Sequence, residues 1–121
     1  TPHAMRAWAA APARPTIAGP GDGGFGQYAM DFTTAVKYNI PVKLILLNTS
    51  ALGKISKEQR SGEWQVWQTS LVNPNFAEFA QSSGGWGKRV TDPNQLQDPL
   101  TEPFAQPGPA LVEIITDPLK I

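Results

Sequence analysis

Two hydrophobic periods divide this chain. From Phe25 the apolar residues fall at Phe25, Tyr28, Ala29, Phe32, Ala35 and Val36, which makes one stripe of a helix. Asn39 and Pro41 end it. Val42 to Leu47 then holds Leu44-Ile45-Leu46-Leu47 without alternation, which predicts a strand covered on both faces, as in a parallel sheet. Ala110 to Ile115 predicts a last buried strand, and Pro15 to Ala18 a short first one closed by Gly19-Pro20-Gly21. Before it, His3 to Ala11 is rich in Ala, with Met5 and Trp8 on one face. It reads as the last turns of a helix that Pro12 stops.

The second half is less regular. Ser50 to Val72 carries Lys54, Lys57, Glu58, Arg60, Glu63, Trp64 and Trp67 between the breaks Gly53 and Gly62. It is expected to be a long functional loop that includes a helical turn. Asn73-Pro74 predicts an N-cap and first helical residue, followed by the apolar face of Phe76, Phe79 and Ala80. Gly84-Gly85-Trp86-Gly87 leads into a brief strand near Lys88 to Val90. Asp92-Pro93 opens a third helix, which Pro99 and Pro103 make short or broken. The order β-α-β-α-β-α-β predicts an α/β fold, a parallel sheet flanked by helices.

Composition narrows the partners. With 121 residues, one domain spanning 1–121 is expected. Hydrophobic residues are 40% and charged residues 17%, enough for a core and too little charge for a disordered chain. Ten basic and ten acidic residues are dispersed, so nothing marks a nucleic-acid surface. There is no cysteine, which excludes disulfides and thiolate metal sites. No apolar run is long enough to span a bilayer, the start does not resemble a signal peptide, and a cytoplasmic location is expected.

The chemistry gathers between Gly21 and Ala51. Gly21-Asp22-Gly23-Gly24-Phe25-Gly26 clears side chains from a strand-to-helix turn, where exposed backbone N–H groups attract phosphate. Asp22 would repel a bare phosphate, so a bridging cation is implied. Mg²⁺ fits, because it is commonly held by one or two carboxylates together with ligand phosphates. The next strand ends at Asn48-Thr49, with Asn48 twenty-six residues after Asp22. One helix and one strand fit that spacing and return the chain to the same sheet edge. Gly21, Gly23 and Gly26 also satisfy the GxGxxG dinucleotide fingerprint, but the ribose-binding acidic residue that fingerprint wants at the strand end is absent. Asp22 as a plain helix cap would leave the glycines unexplained. His3 is assigned no role, and Trp64, Trp67 and Trp86 read as packing or interface residues.

These residues resemble the thiamine-diphosphate motif, which is GDG, about twenty-five residues, then Asn-Asn. The surroundings resemble the pyruvate oxidase, quinone-dependent pyruvate dehydrogenase and acetolactate synthase group. They include Ala35 to Lys43, Ser50-Ala51-Leu52-Gly53, Asn73 to Ala80 and Pro107 to Glu113. The resemblance implies an incomplete thiamine-diphosphate-binding fold, the C-terminal portion of a longer enzyme. It implies thiamine diphosphate bound by Gly21, Asp22, Gly23, Gly24, Thr49, Ala51, Leu52 and Gly53, with Mg²⁺ held by Asp22, Thr49 and the Ala51 carbonyl. It also implies a 2-keto acid such as pyruvate as substrate. Its keto carbon is attacked by the thiazolium carbon, carbon dioxide leaves, and the product passes to an acceptor by oxidoreductase or transferase chemistry. FAD is compatible with the parent enzyme but is not expected on this segment. The implied partners are the parent's other domains and identical subunits in a dimer or tetramer.

The chain departs from that pattern in four places. Thr49 replaces the usual ligand asparagine. The front half of the binding domain has no counterpart, including the apolar residue that bends the cofactor. The domain carrying the glutamate that activates the aminopyrimidine has none either. Last, Gly84-Gly85-Trp86, Pro99 and Pro103 interrupt elements that are usually smoother. No catalytic residue is assigned, and the chain alone is expected to be inactive. A non-catalytic interaction module that retains the site is the alternative from another class.

Overall fold

A computed structural model describes residues 1–119. Four strands form one parallel sheet in the order β1-β2-β4-β3: β1 (Thr16–Ala18), β2 (Val42–Asn48), β3 (Trp86–Val90) and β4 (Ala110–Ile115). Six α-helices surround it: α1 (Pro2–Ala10), α2 (Asp22–Gly26), α3 (Asp31–Lys37), α4 (Gly53–Ser61), α5 (Phe76–Ser82) and α6 (Gln97–Thr101). This is the parallel α/β architecture expected from the chain. The third helical region is broken as expected, into 3₁₀ turns at Pro93–Gln95 and Glu102–Ala105 on either side of α6. Among the described residues, no helix is long and apolar enough to cross a membrane.

The main core lies on one face of the sheet. Leu44, Leu46 and Leu111 point into it, against Phe25, Phe32, Phe76 and Ala80. Phe25 meets Phe76 edge to face, with ring centroids 5.2 Å apart, which ties α2 to α5. A smaller cluster of Ala4, Ala35, Ile40 and Val42 seats α1.

Four local expectations need correction. The stripe from Phe25 is two helices, since the chain turns over Gln27–Met30 and leaves Tyr28 57% exposed. Ser50 to Val72 holds more than a helical turn, because Gly53–Ser61 forms α4 within it. Its buried residues are Gly53 and Ser56, too small and polar to leave an apolar stripe in the sequence. Asn73 does not cap α5. Asn75 does, accepting from the Glu78 N–H while its own amide donates to the Glu78 carboxylate. Finally, β2 is not covered on both faces along its length, since Leu47 is 45% exposed. Beyond α4 the exposed Trp64 and Trp67 lie on irregular chain.

At the sheet edge opposite the strand ends, Lys43 is buried on β2 and its ammonium donates to the carbonyls of Gln106 and Gly108, at 2.7 and 2.6 Å. Burial pushes its pKa below the ordinary lysine value. These bonds fix the turn that feeds β4.

β3 approaches α5 closely because Gly87 has no side chain: a β-carbon there would collide with the backbone of Ala77. No rotamer change relieves a clash with backbone. Gly87→Ala is therefore expected to destabilise the fold by about 3 kcal/mol. Gly26→Ala, which meets nothing within 4 Å, should be neutral or slightly stabilising. Urea unfolding of both variants, followed by circular dichroism, checks the contrast.

Candidate functional site

The site forms where the first turn meets the end of β2. The Leu47 N–H donates to the Pro20 carbonyl at 3.0 Å, and Gly21 pairs with Leu47 as a single parallel bridge. Asp22 follows at once, as the first residue of α2, and is only 4% exposed. Its Oδ1 accepts from the Gly23 N–H at 3.0 Å and its Oδ2 from the Asn73 amide at 2.7 Å.

Asn48 ends β2 and is buried. Its amide nitrogen donates to Glu113 Oε1 at 2.7 Å. Its Oδ1 accepts from the Asn73 amide at 2.9 Å and from the N–H and hydroxyl of Ser50. That last pair holds Ser50 in a left-handed conformation, φ 52°. The chain then reverses: Ala51 pairs with Ser70, and the Leu52 N–H donates to the Thr69 carbonyl at 2.7 Å. The Thr49 hydroxyl donates to the Ala51 carbonyl at 2.9 Å, so these two oxygens are close neighbours.

A cavity of about 760 Å³ opens at this edge. Gly21, Asp22, Thr49, Ala51 and Gly53 line it, with Leu47 and Ile114 as apolar wall. The structure thus brings together five of the eight residues expected to bind the cofactor, including all three expected to hold metal. Gly23, Gly24 and Leu52 stand at the same edge without lining the cavity. Leu52 packs against Gly23, where a β-carbon would come within 2.8 Å of Leu52 Cδ2. Gly21 and Gly24 have open space where a β-carbon would sit. Neither protein packing nor a positive φ accounts for those two glycines. Among the described residues, no cluster of three or more His, Asp or Glu side chains is placed to hold a metal. At the end of β2 Asn48 commits its amide to Glu113, and Asn48, Thr49 and Ser50 offer no carboxylate to a ribose.

Two residues of this edge were not singled out from sequence. Asn73 reads as a helix cap, yet its amide joins Asp22 to Asn48. Glu113 is fully buried inside an apolar strand, and its carboxylate also accepts from the Ala77 N–H at 3.2 Å and lies 3.8 Å from the Arg89 guanidinium. A lone acidic residue inside a run such as Ala-Leu-Val-Glu-Ile-Ile was the signal for it, since acidic residues are almost never fully buried unless paired.

Known proteins resemble this chain in sequence and fold. Residues 1–114 match the family model described as thiamine pyrophosphate enzyme, C-terminal TPP binding domain. A Bacillus subtilis (strain 168) protein, YdaP, whose name describes it as thiamine pyrophosphate-containing, is 36% identical over 114 residues; the match covers 94% of this chain and 20% of that protein. The mitochondrial acetolactate synthase catalytic subunit of Aspergillus candidus is 34% identical over 117 residues, covering 96% of this chain and 17% of the relative. The thiamine diphosphate-dependent 4-hydroxybenzoylformate decarboxylase of Rhodococcus jostii RHA1 superposes with a TM-score of 0.87 at 25% identity, over 96% of this chain and 22% of that one. The chain spans about a fifth of the length of these relatives. By sequence match over nearly its whole length and by fold, the chain belongs to the C-terminal TPP-binding domain family of thiamine pyrophosphate enzymes.

Proposed function

We propose that this chain binds the diphosphate end of thiamine diphosphate through Mg²⁺, as the C-terminal part of an enzyme that decarboxylates 2-keto acids. The observation that carries the reading is the convergence of a buried carboxylate, two neighbouring neutral oxygens and unfilled glycine positions at one sheet edge. Asp22 would supply the charged ligand, Thr49 Oγ1 and the Ala51 carbonyl the neutral ones. Their 2.9 Å separation fits the group, because an octahedron with bonds of about 2.1 Å has edges of about 3 Å. Gly21 and Gly24 leave room for phosphate oxygens to approach backbone N–H groups. The cavity volume of about 760 Å³ is in the range of small-molecule and cofactor sites.

Thiamine diphosphate, when bound, supplies a thiazolium carbon that adds to a keto group and accepts the electrons left by departing carbon dioxide. The part played by this chain's own residues is anchoring. Asp22 would hold the cation that offsets phosphate charge, while Leu47 and Ile114 would exclude water from one wall. Proton abstraction at the far end of the cofactor needs a base, and no residue of this chain matches one. The remaining parts of the catalytic machinery are assigned to other domains of a longer enzyme, working as a homo-oligomer. The acetolactate synthase and decarboxylase named above support the 2-keto acid class.

Three outcomes test the reading by calorimetric titration and turnover. Asp22→Ala should abolish the Mg²⁺ dependence of thiamine diphosphate binding, and binding equal to the parent in magnesium would refute the metal bridge. Thr49→Asn should tighten Mg²⁺-dependent binding by about 1 kcal/mol, because an amide carbonyl is a better donor to the ion than a neutral hydroxyl. The chain alone, given cofactor, Mg²⁺ and pyruvate, should release no carbon dioxide above background; sustained release would place the missing base on this chain.

A further inference from the structure

Two side-chain amides stand between the fully buried Glu113 and Asp22. The Asn48 nitrogen donates to Glu113 Oε1 at 2.7 Å, and the Asn48 oxygen accepts from the Asn73 nitrogen at 2.9 Å. The same Asn73 nitrogen donates to Asp22 Oδ2 at 2.7 Å. An amide has one accepting end and one donating end, and a half-turn exchanges them. Which end of Asn73 meets Asp22 therefore depends on what Asn48 meets.

Asn48 meets a group that only accepts, since an ionised carboxylate has no hydrogen to give. Asn48 must present its nitrogen to Glu113, which turns its oxygen to the Ser50 N–H and to Asn73. Asn73 must then present nitrogen as well, and Asp22 receives a donor. Glutamine at 113 has nearly the same shape but one donating end. The Ala77 N–H and the Arg89 guanidinium, both beside Oε2, claim its oxygen. Its nitrogen then faces Asn48, both asparagines turn over, and an amide oxygen opposes the Asp22 carboxylate. Ser50 is exposed, so water can take the N–H that Asn48 releases. We infer that Glu113, which does not line the cavity, is a positioning residue of the cofactor site. Through Asn48 and Asn73 it keeps a donor, and not an acceptor, against Asp22. The inference rests on the proposal that Asp22 binds the cation of a diphosphate cofactor. It adds a remote residue that the metal-bridge reading alone does not require.

The test is calorimetric titration of the 121-residue chain with thiamine diphosphate, once in Mg²⁺ and once in a chelator. The proteins are the parent, Glu113→Gln, Asn73→Leu and the double variant, with circular dichroism to report folding. Glu113→Gln should weaken binding in Mg²⁺ about tenfold, the effect of one hydrogen bond to a charged group. Binding in chelator should not change. Asn73→Leu should do the same, and the double variant should be no weaker than Asn73→Leu, because both substitutions act on one bond. Losses that multiply in the double variant would give Glu113 a separate structural role and overturn the inference. A folded Glu113→Gln that binds as the parent does overturns it too, while leaving the cofactor site standing. If Glu113→Gln does not fold, Asn73→Leu decides, and undiminished Mg²⁺-dependent binding there overturns the inference. Absence of Mg²⁺-supported binding by the parent overturns the cofactor reading, and this inference with it.

Discussion

The bond between Asn48 and Glu113 is the constraint on which this edge of the molecule depends. A carboxylate with no solvent exposure is costly unless every neighbour helps to hold it. Glu113 draws on three elements to meet that demand: the end of β2 through Asn48, the first turn of α5 through the Ala77 N–H, and β3 through Arg89. Each partner is pinned in return. Asn48, fixed at its amide nitrogen, directs its oxygen to Ser50 and Asn73, and Asn73 in turn holds Asp22. Two carboxylates are thus linked by two amides in a chain of hydrogen bonds, in which the position of each member depends on the next. Removing Asn48 or Glu113 would leave a buried polar group of the other unpaired, and such a loss costs more than the bond itself contributes.

This network is the reason the site was only partly legible in the sequence. Period and punctuation are local, and they marked β2, β4 and the glycine turn well, because a run such as Leu44-Ile45-Leu46-Leu47 suits little besides a buried strand. The meeting of Asp22 with Thr49 followed from crossover geometry, since β1, α2, α3 and β2 leave the two loops at one edge. Asn73 was missed because an asparagine before proline has a strong local meaning as a cap. Two residues later Asn75 has a stronger one, with Glu78 three positions on to complete a capping box. Helix α4 was missed for a different reason. It buries only Gly53 and Ser56, while its one large apolar residue, Ile55, is 45% exposed, so no periodic signal exists to be read.

The uncovered half of β2 belongs with the site. An apolar strand predicts cover on both faces, and the face of Val42, Leu44 and Leu46 is buried throughout, while the opposite face is buried at Lys43 and open at Leu47. There the apolar side chain forms cavity wall. The departure from the regular α/β pattern thus falls where parallel sheets present ligand sites, outside the carboxyl ends of the strands. The glycines follow the same logic: Gly87 is required by the close backbone of Ala77, whereas Gly21 and Gly24 face open space.

The left-handed turn at Ser50 bears on how this segment can drift over evolutionary time. At Ala51 the group proposed to meet the cation is a main-chain carbonyl, so selection on that chemistry sees the path of the backbone there and not the identity of the side chain. At Ser50 the reverse holds: φ 52° admits glycine, asparagine or serine but penalises β-branched residues, although its side chain points at no proposed ligand. Neighbouring positions therefore answer to different alphabets, one set by conformation and one nearly free. A lineage could exchange the residue at 51 repeatedly while the carbonyl stays where it is.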